Sequence, residues 1–143
     1  MMTGTVVIDA SVVVEYLVEL KFTEEATRFF AGLVTPGSDL DLWAPDLIFP
    51  EAASALRKLV QRRAIAAEAG ARAVARLARL PIVATGSAGL LAAMWKFRQA
   101  VTMYDACYLA LAARLRAPVL TADARLARAR PPAAPRVVFL GEL

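Results

Sequence analysis

A chain of 143 residues with 59% hydrophobic side chains is long enough to form one folded domain with a substantial core. It has no histidine and one cysteine, which excludes an internal disulfide, zinc-finger sites, and cysteine-protease and Ser-His-Asp chemistry. Seventeen basic and 13 acidic side chains give a net charge of +4, which is compatible with a polyanionic partner.

Nothing in the sequence predicts a membrane segment or a secretion signal. The longest uncharged run, residues 80–95, has 16 residues and is interrupted by Pro81, Gly86 and Gly89. The amino end lacks a basic segment and carries Asp9 where a signal peptide would be apolar. We therefore expect a cytoplasmic protein that does not bind membranes.

The first predicted element is a buried strand over residues 5–9, which runs directly into a helix over residues 11–18. Asp9 ends this strand, and ligands of open α/β sheets bind at the carboxyl ends of the strands. The same residue is also placed to cap the amino end of the following helix. The strand alone does not separate a functional carboxylate from a capping one.

The next predicted elements are a helix over residues 23–34, a strand over residues 41–44 and a long helix that starts after Pro45. Glu51 lies at the edge of the apolar stripe of this helix, so its carboxylate needs a partner. An ion pair with an arginine or lysine is the structural interpretation. Pro50 would kink the helix unless the helix begins only a few residues earlier.

The second half of the chain continues the alternation. Helices are predicted over residues 66–80, 87–101, 106–113 and 124–130, and strands over residues 81–84, 118–121 and 136–140. Asp105 follows Thr102 by three residues, which is the spacing of a capping box, at the start of an apolar helix. Asp123 lies just past a strand and just before a helix, so it too is either a cap or an acid at a strand end.

Strands that alternate with helices predict a parallel sheet with right-handed crossovers and both faces covered. Asp9 and Asp123 end strands of this sheet, and Glu51 and Asp105 lie near helix beginnings that can approach the same edge. Carboxylates within about 4 Å of each other repel by roughly 4 kcal/mol per pair at an effective dielectric constant near 20. Such a cluster must take up protons or cations.

An acidic cluster without histidine offers only oxygen ligands, which favour Mg²⁺ or Mn²⁺ over zinc or copper. One or two such ions can activate water and stabilise the attacking and leaving oxygens of a phosphodiester. The acids therefore predict metal-dependent phosphodiester hydrolysis.

Four short motifs, spread over almost the whole chain, resemble those of one protein family. They are Val-Ile-Asp-Ala-Ser at residues 7–11, Phe-Pro-Glu-Ala-Ala-Ser-Ala-Leu at 49–56, Tyr-Asp-Ala-Cys-Tyr-Leu-Ala-Leu-Ala at 104–112 and Leu-Thr-Ala-Asp at 120–123. Their order and content are similar to those of the PIN-domain nucleases, and most similar to the VapC toxins of toxin–antitoxin pairs.

The resemblance implies a single three-layer α/β/α domain over residues 1–143, with a five-stranded parallel sheet of order 3-2-1-4-5. It also implies an endoribonuclease dependent on Mg²⁺ or Mn²⁺. The acids at the family's four catalytic, metal-binding positions are Asp9, Glu51, Asp105 and Asp123. Ser11 and Thr121 match hydroxyl positions beside that site. The departures from the family pattern are Pro50, directly before the second acid, and Ser54, where these toxins frequently carry asparagine.

The resemblance further implies an RNA substrate, a VapB-like antitoxin and a homodimer. Candidate RNA contacts are the basic residues Arg57, Lys58, Arg62 and Lys96. A homodimer is also expected because several large apolar side chains exceed what one small core hides: Phe22, Phe29, Phe30, Met94, Trp95 and Phe97. The antitoxin is expected in an apolar groove beside the acids. The groove would be formed by the helices over residues 12–18 and 23–34, with Leu17, Phe22, Phe29, Phe30 and Leu33, and by the apolar stripe of the Glu51 helix.

Two alternatives stay open from the sequence. One is a PIN nuclease of RNA processing or DNA metabolism that has no antitoxin. The other is a non-catalytic module that binds RNA or protein, although such a module has no need of four acids.

Overall fold

The computed structural model describes residues 2–143, which form a five-stranded parallel sheet surrounded by helices. The strands are β1 (Thr5–Ile8), β2 (Asp41–Pro45), β3 (Ile82–Thr85), β4 (Val119–Thr121) and β5 (Val137–Phe139). Their order is 3-2-1-4-5, and every neighbouring pair is parallel. The predicted α/β fold and strand order are confirmed.

Seven α-helices connect these strands in the part of the chain that the structure describes. They are α1 (Ala10–Leu17), α2 (Thr23–Ala31), α3 (Ile48–Gln61), α4 (Ala67–Leu77), α5 (Leu91–Trp95), α6 (Met103–Leu115) and α7 (Ala124–Ala129). Among residues 2–143, no helix combines the length and the apolar character needed to cross a bilayer.

The helix predicted over residues 87–101 is wrong in length. A 3₁₀ turn over Ala88–Leu90 precedes the short α5, and the chain after it continues in turns with hydrogen bonds between residues three apart. Met94 and Phe97, which are three residues apart, are both buried. The regular helix is shortened because turns with hydrogen bonds between residues three apart lie on both sides of α5.

The core lies around β1 and α6. Successive strand residues point to opposite faces, and both Val6 and Val7 are 0% exposed, so helices cover both faces of the central strand. Helix α6 packs against β1, β2 and β4, and its residues from Ala106 to Ala112 are buried. An apolar helix of this kind fixes the position of whatever polar residues it carries at its ends.

Pro50 does not disturb α3, because it lies in the first turn of that helix. A proline there costs no helical hydrogen bond, since the first amides of a helix have no partner within it. The amide of Glu51 makes a regular bond to the carbonyl of Leu47, at 3.0 Å. The backbone of the second acid is therefore held in an ordinary helical conformation.

The expected excess of apolar side chains is wrong for four of the six residues. Phe29, Phe30, Met94 and Phe97 are buried within the chain itself. The ring of Phe30 stacks on Tyr16 at 4.0 Å between ring centroids and meets Phe29 edge-on.

Three of the five side chains expected to line the apolar groove along α1 and α2 lie inside the core. Leu17, Phe29 and Phe30 are all buried. Phe22 and Leu33 are partly exposed, so this part of the expected surface stays accessible.

Candidate active site

Asp9 follows β1 directly and is held by two hydroxyl groups. Its side chain is almost fully buried, with the residue 6% exposed, and makes no capping hydrogen bond within the described chain. Ser11 Oγ donates to Asp9 Oδ2 at 2.7 Å, and Thr121 Oγ1 donates to the same oxygen at 2.8 Å. The carboxylate is thus bound to hydroxyls from α1 and from the end of β4.

The same two hydroxyls also connect Asp9 to the backbone that leads to Asp123. The amide of Ala122 donates to Ser11 Oγ at 2.9 Å, and the amide of Asp123 donates to Thr121 Oγ1 at 3.0 Å. The structure therefore places Ser11 and Thr121 between the carboxyl ends of β1 and β4. Their positions fix the side chain of one acid and the backbone of another.

Glu51 is half-buried and has a phenol as its partner. Tyr108 Oη, from α6, donates to Glu51 Oε1 at 2.9 Å. The partner of this acid is therefore not the arginine or lysine considered from the sequence. Burial raises the pKa of Glu51, and the nearby carboxylates of Asp9 and Asp105 raise it further, while the Tyr108 hydrogen bond lowers it.

Asp105 and Asp123 each take part in a helix cap, Asp105 through its backbone amide and Asp123 through its side chain. Thr102 Oγ1 accepts the Asp105 amide at 3.1 Å, so the predicted helix cap on that side is present. Asp123 Oδ1 caps α7 by accepting the amide of Arg125 at 2.8 Å. In addition, Arg125 Nη2 lies 3.3 Å from Asp105 Oδ2 and 3.1 Å from Asp123 Oδ2, so one guanidinium bridges the two acids.

The four acids influence one another electrostatically. Burial is the main cause of the raised pKa of Asp9, and repulsion from Asp105 adds to it. Burial also raises the pKa of Asp105, with Arg125 opposing and Asp123 adding to the increase. Mutual repulsion of this kind requires the carboxylates to lie near one another at a single edge of the sheet.

The chemistry of this donor set suits a hard divalent cation. Asp9, Glu51, Asp105 and Asp123 offer only oxygen, which Mg²⁺ and Mn²⁺ prefer. As the side chains stand, no group of three or more acidic or cysteine residues within 2–143 is arranged to hold a metal ion. Arg125 lies instead between two of the acids.

Two of the four candidate RNA-binding residues line a cavity that also includes one side chain of the site. Lys58 and Arg62 line an open cavity of about 390 Å³ that also includes Ser11, the partner of Asp9. Arg57 lines a different cavity, between α3 and α4. Lys96 is exposed just after α5.

Two side chains at the site were not identified from the sequence. Tyr108 lies three residues after Asp105 on the apolar helix, where the sequence pattern predicts an ordinary core residue. Arg125 lies two residues after Asp123, where the sequence pattern predicts a solvated charge. The only sequence signal for either was its short distance from a predicted site acid.

Comparison with known proteins gives a consistent result. Residues 6–131 match the family model described as PIN domain. Ribonuclease VapC9 of Mycobacterium tuberculosis is 36% identical over 108 residues, which cover 71% of this chain and 85% of the relative.

Two solved structures have the same fold. PAE2754 from Pyrobaculum aerophilum has a TM-score of 0.67 at 16% identity, covering 99% of this chain and 94% of its own. VapC20 of Mycobacterium tuberculosis, a toxin that cleaves the sarcin–ricin loop, has a TM-score of 0.64 at 16% identity, covering 87% and 95%. At this identity the two similarities concern the fold.

Asp9→Asn is expected to stabilise the metal-free protein at neutral pH. Burial raises the pKa of Asp9 in the folded state, so above the ordinary value of 3.8 this carboxyl lowers the stability of the fold. As the pH falls toward the ordinary value of 3.8, the carboxyl becomes protonated and this penalty disappears. The melting temperature of the variant in EDTA should exceed that of the parent at pH 7, and the gap should narrow on acidification.

Asp46→Asn, at an exposed acid before α3, is the matched control and should show no such gap. Two results would contradict the claim that the buried Asp9 carboxyl destabilises the fold. In one, Asp9→Asn melts below the parent at pH 7; in the other, the difference in melting temperature does not change with pH.

Tyr108→Phe is expected to release the Glu51 carboxylate without disturbing the core, because only the hydroxyl is lost. Loss of a partner that orients a metal ligand typically costs 10- to 100-fold in metal affinity or activity, so a decrease of about 10-fold in Mn²⁺ affinity is expected. Calorimetric titration measures it. Tyr104→Phe, at an exposed tyrosine on the same helix, should bind Mn²⁺ like the parent, and equal affinities for both variants would show that the Tyr108 bond has no role.

Proposed function

The chain belongs to the PIN-domain family as a VapC-like member, and from this premise we propose that it is a divalent-cation-dependent endoribonuclease. We propose further that it is the toxin of a toxin–antitoxin pair and acts in the cytoplasm. Its relative VapC9 is named a ribonuclease, and VapC20, which shares its fold, is named a toxin that cleaves the sarcin–ricin loop.

The observation that supports catalysis most strongly is the group of acids at the carboxyl ends of β1 and β4. Asp9, Glu51 and Asp105 all have raised pKa values, and each is affected by at least one other acid of the group. Gathering like charges is costly, so a protein that only needed to fold would have little use for them. Groups with perturbed pKa values in one place are a common mark of a functional site.

We propose that Asp9, Glu51, Asp105 and Asp123 hold Mg²⁺ or Mn²⁺. When bound, such an ion lowers the pKa of water and neutralises charge on a phosphodiester. Ser11 and Thr121 fix Asp9 through Oδ2, and Tyr108 fixes Glu51 through Oε1. These bonds orient the carboxylates before a cation or a substrate arrives.

The surface around the acids is suited to single-stranded RNA. Lys58 and Arg62 line the cavity that leads to Ser11, where they can contact phosphates. Tyr104 directly precedes Asp105 and is 68% exposed. An exposed aromatic ring beside a cleavage site can stack on an unpaired base.

We propose that a VapB-like antitoxin covers the site. With Leu17, Phe29 and Phe30 buried, the antitoxin would bind at one of two cavities beside α1. One is the cavity of about 390 Å³ between α1 and α3, and the other, of about 510 Å³, lies between the end of α1 and α4. The first includes Ser11, so a segment bound there would also limit access to Asp9.

The homodimer stays a prediction, since most of the aromatic residues that suggested it are buried. A PIN nuclease without an antitoxin remains the second candidate, and the same four acids would serve it. A non-catalytic module is less well supported, because it leaves the cost of gathering these acids without a purpose.

The purified protein should cleave RNA in Mg²⁺ or Mn²⁺ and leave a 5′-phosphate and a 3′-hydroxyl. Attack by water, with no part for the ribose 2′-hydroxyl, gives these ends. Incubation with total RNA, followed by sequencing of the new 5′ ends, measures both the products and the cleavage sites. A 2′,3′-cyclic phosphate, or full activity in EDTA, would contradict the proposal.

Asp9→Asn, Asp105→Asn and Asp123→Asn are the matched variants for that assay. Each removes a proposed ligand, which should cost more than about 100-fold in rate, since outer partners of ligands already cost 10- to 100-fold. The fold should persist, because each variant also removes a repelling charge. A variant that keeps the parental rate at saturating Mg²⁺ would show that its acid is only a structural cap.

Expression of the chain alone should arrest growth, and co-expression with the small gene beside its own should restore it. Asp9→Asn should be harmless without that gene, because it lacks nuclease activity. Growth curves in several hosts measure the effect. If the parent is harmless in all of them and no small gene lies beside its own, the toxin role is wrong while the nuclease role stands.

A further inference from the structure

Arg125 occupies a distinctive position in the charge distribution of this protein. Seventeen basic and 13 acidic side chains are present, yet the ion pairs within 4.0 Å among residues 2–143 are the two that Arg125 makes. Both use the same atom, Nη2, and they join Asp105 on α6 to Asp123 before α7. No other basic side chain of the described residues lies within 4.0 Å of a carboxylate, so this bridge is specific to the site.

The two side chains of the Arg125–Asp105 ion pair differ in exposure. The Asp105 side chain is 15% exposed and is held at the start of a buried helix, whereas the Arg125 side chain is 66% exposed. The backbone of Arg125 is held separately from its guanidinium, because its amide donates a hydrogen bond to Asp123 Oδ1 at the start of α7. The guanidinium can therefore leave the acids by rotation of its side chain alone, without unfolding α7.

A divalent cation and the guanidinium need the same oxygens. Arginine does not lose its proton in proteins, so it cannot become neutral to make room and has to move. Two positive groups on the same pair of carboxylates would also repel each other. Binding of one therefore excludes the other from Asp105 and Asp123.

We infer that Arg125 is an internal counter-ion that holds Asp105 and Asp123 together in the metal-free protein and competes with the divalent cation for them. The inference rests on the proposed function, because it assumes that these acids are cation ligands. In the metal-free state Arg125 relieves the repulsion between the acids. In the metal-bound state Arg125 no longer contacts Asp105 and Asp123, so it does not add to the stability of the protein.

The test compares Arg125→Gln with Arg128→Gln. Arg128 is exposed on the same short helix and makes no ion pair within the described chain, so its variant controls for the loss of one positive charge. Mn²⁺ is titrated into each protein at low ionic strength, and free Mn²⁺ is measured by electron paramagnetic resonance. Arg125→Gln should bind Mn²⁺ roughly 3- to 10-fold more tightly than the parent, as expected for loss of a competitor at exposed ion pairs.

Melting temperatures give a second readout that does not depend on activity. In EDTA, Arg125→Gln should melt below both the parent and Arg128→Gln, because the repulsion is no longer relieved. At saturating Mn²⁺ this difference should disappear. Equal or weaker Mn²⁺ affinity in Arg125→Gln, or a melting difference that Mn²⁺ does not change, would overturn the inference.

The outcomes separate this inference from the proposed function. If the parent and both variants bind Mn²⁺ equally, the competition is wrong and the nuclease proposal is unaffected. If none of the three binds Mn²⁺, both are wrong. If Arg125→Gln binds Mn²⁺ more tightly but no RNA is cleaved, the inference stands and the nuclease proposal fails.

Discussion

Repulsion between carboxylates at one edge of a parallel sheet is the constraint on which the site depends. Three kinds of contact stabilise these carboxylates. Two hydroxyls, of Ser11 and Thr121, hold the buried Asp9, and a phenol holds Glu51. A guanidinium bridges the remaining pair, Asp105 and Asp123. Burial still raises the pKa of three of these acids, so the arrangement retains a preference for protons or cations.

The fold supplies the rigidity that such an arrangement needs. β1 is buried on both faces, and α6 is buried along most of its length, so Asp9 and Asp105 extend from elements that cannot shift easily. The hydroxyl network then joins the end of β1 to the end of β4. A cation that bound at this edge would find its ligands preorganised on one side and a mobile arginine on the other.

Much of this architecture could be predicted from the sequence, and the failures have physical causes. Short apolar runs alternating with amphipathic segments indicated the five strands, and the acids at positions 9 and 123, at or just past strand ends, marked the edge. The roles of Tyr108 and Arg125 depend on side-chain contacts between separate elements, which no local pattern encodes. The burial of Phe29 and Phe30 depends on how α2 docks on α1, where the ring of Phe30 stacks on Tyr16. Each of these is set by tertiary packing, which overrides local helical preference.

The most direct measurement is anomalous diffraction from crystals of the protein grown in Mn²⁺. A cation site formed by these acids predicts an anomalous peak bounded by the carboxylates of Asp9 and Asp105, with the Arg125 guanidinium turned away from Asp105. Well-ordered acids at saturating Mn²⁺ that show no peak, with Arg125 still bridging Asp105 and Asp123, would contradict it.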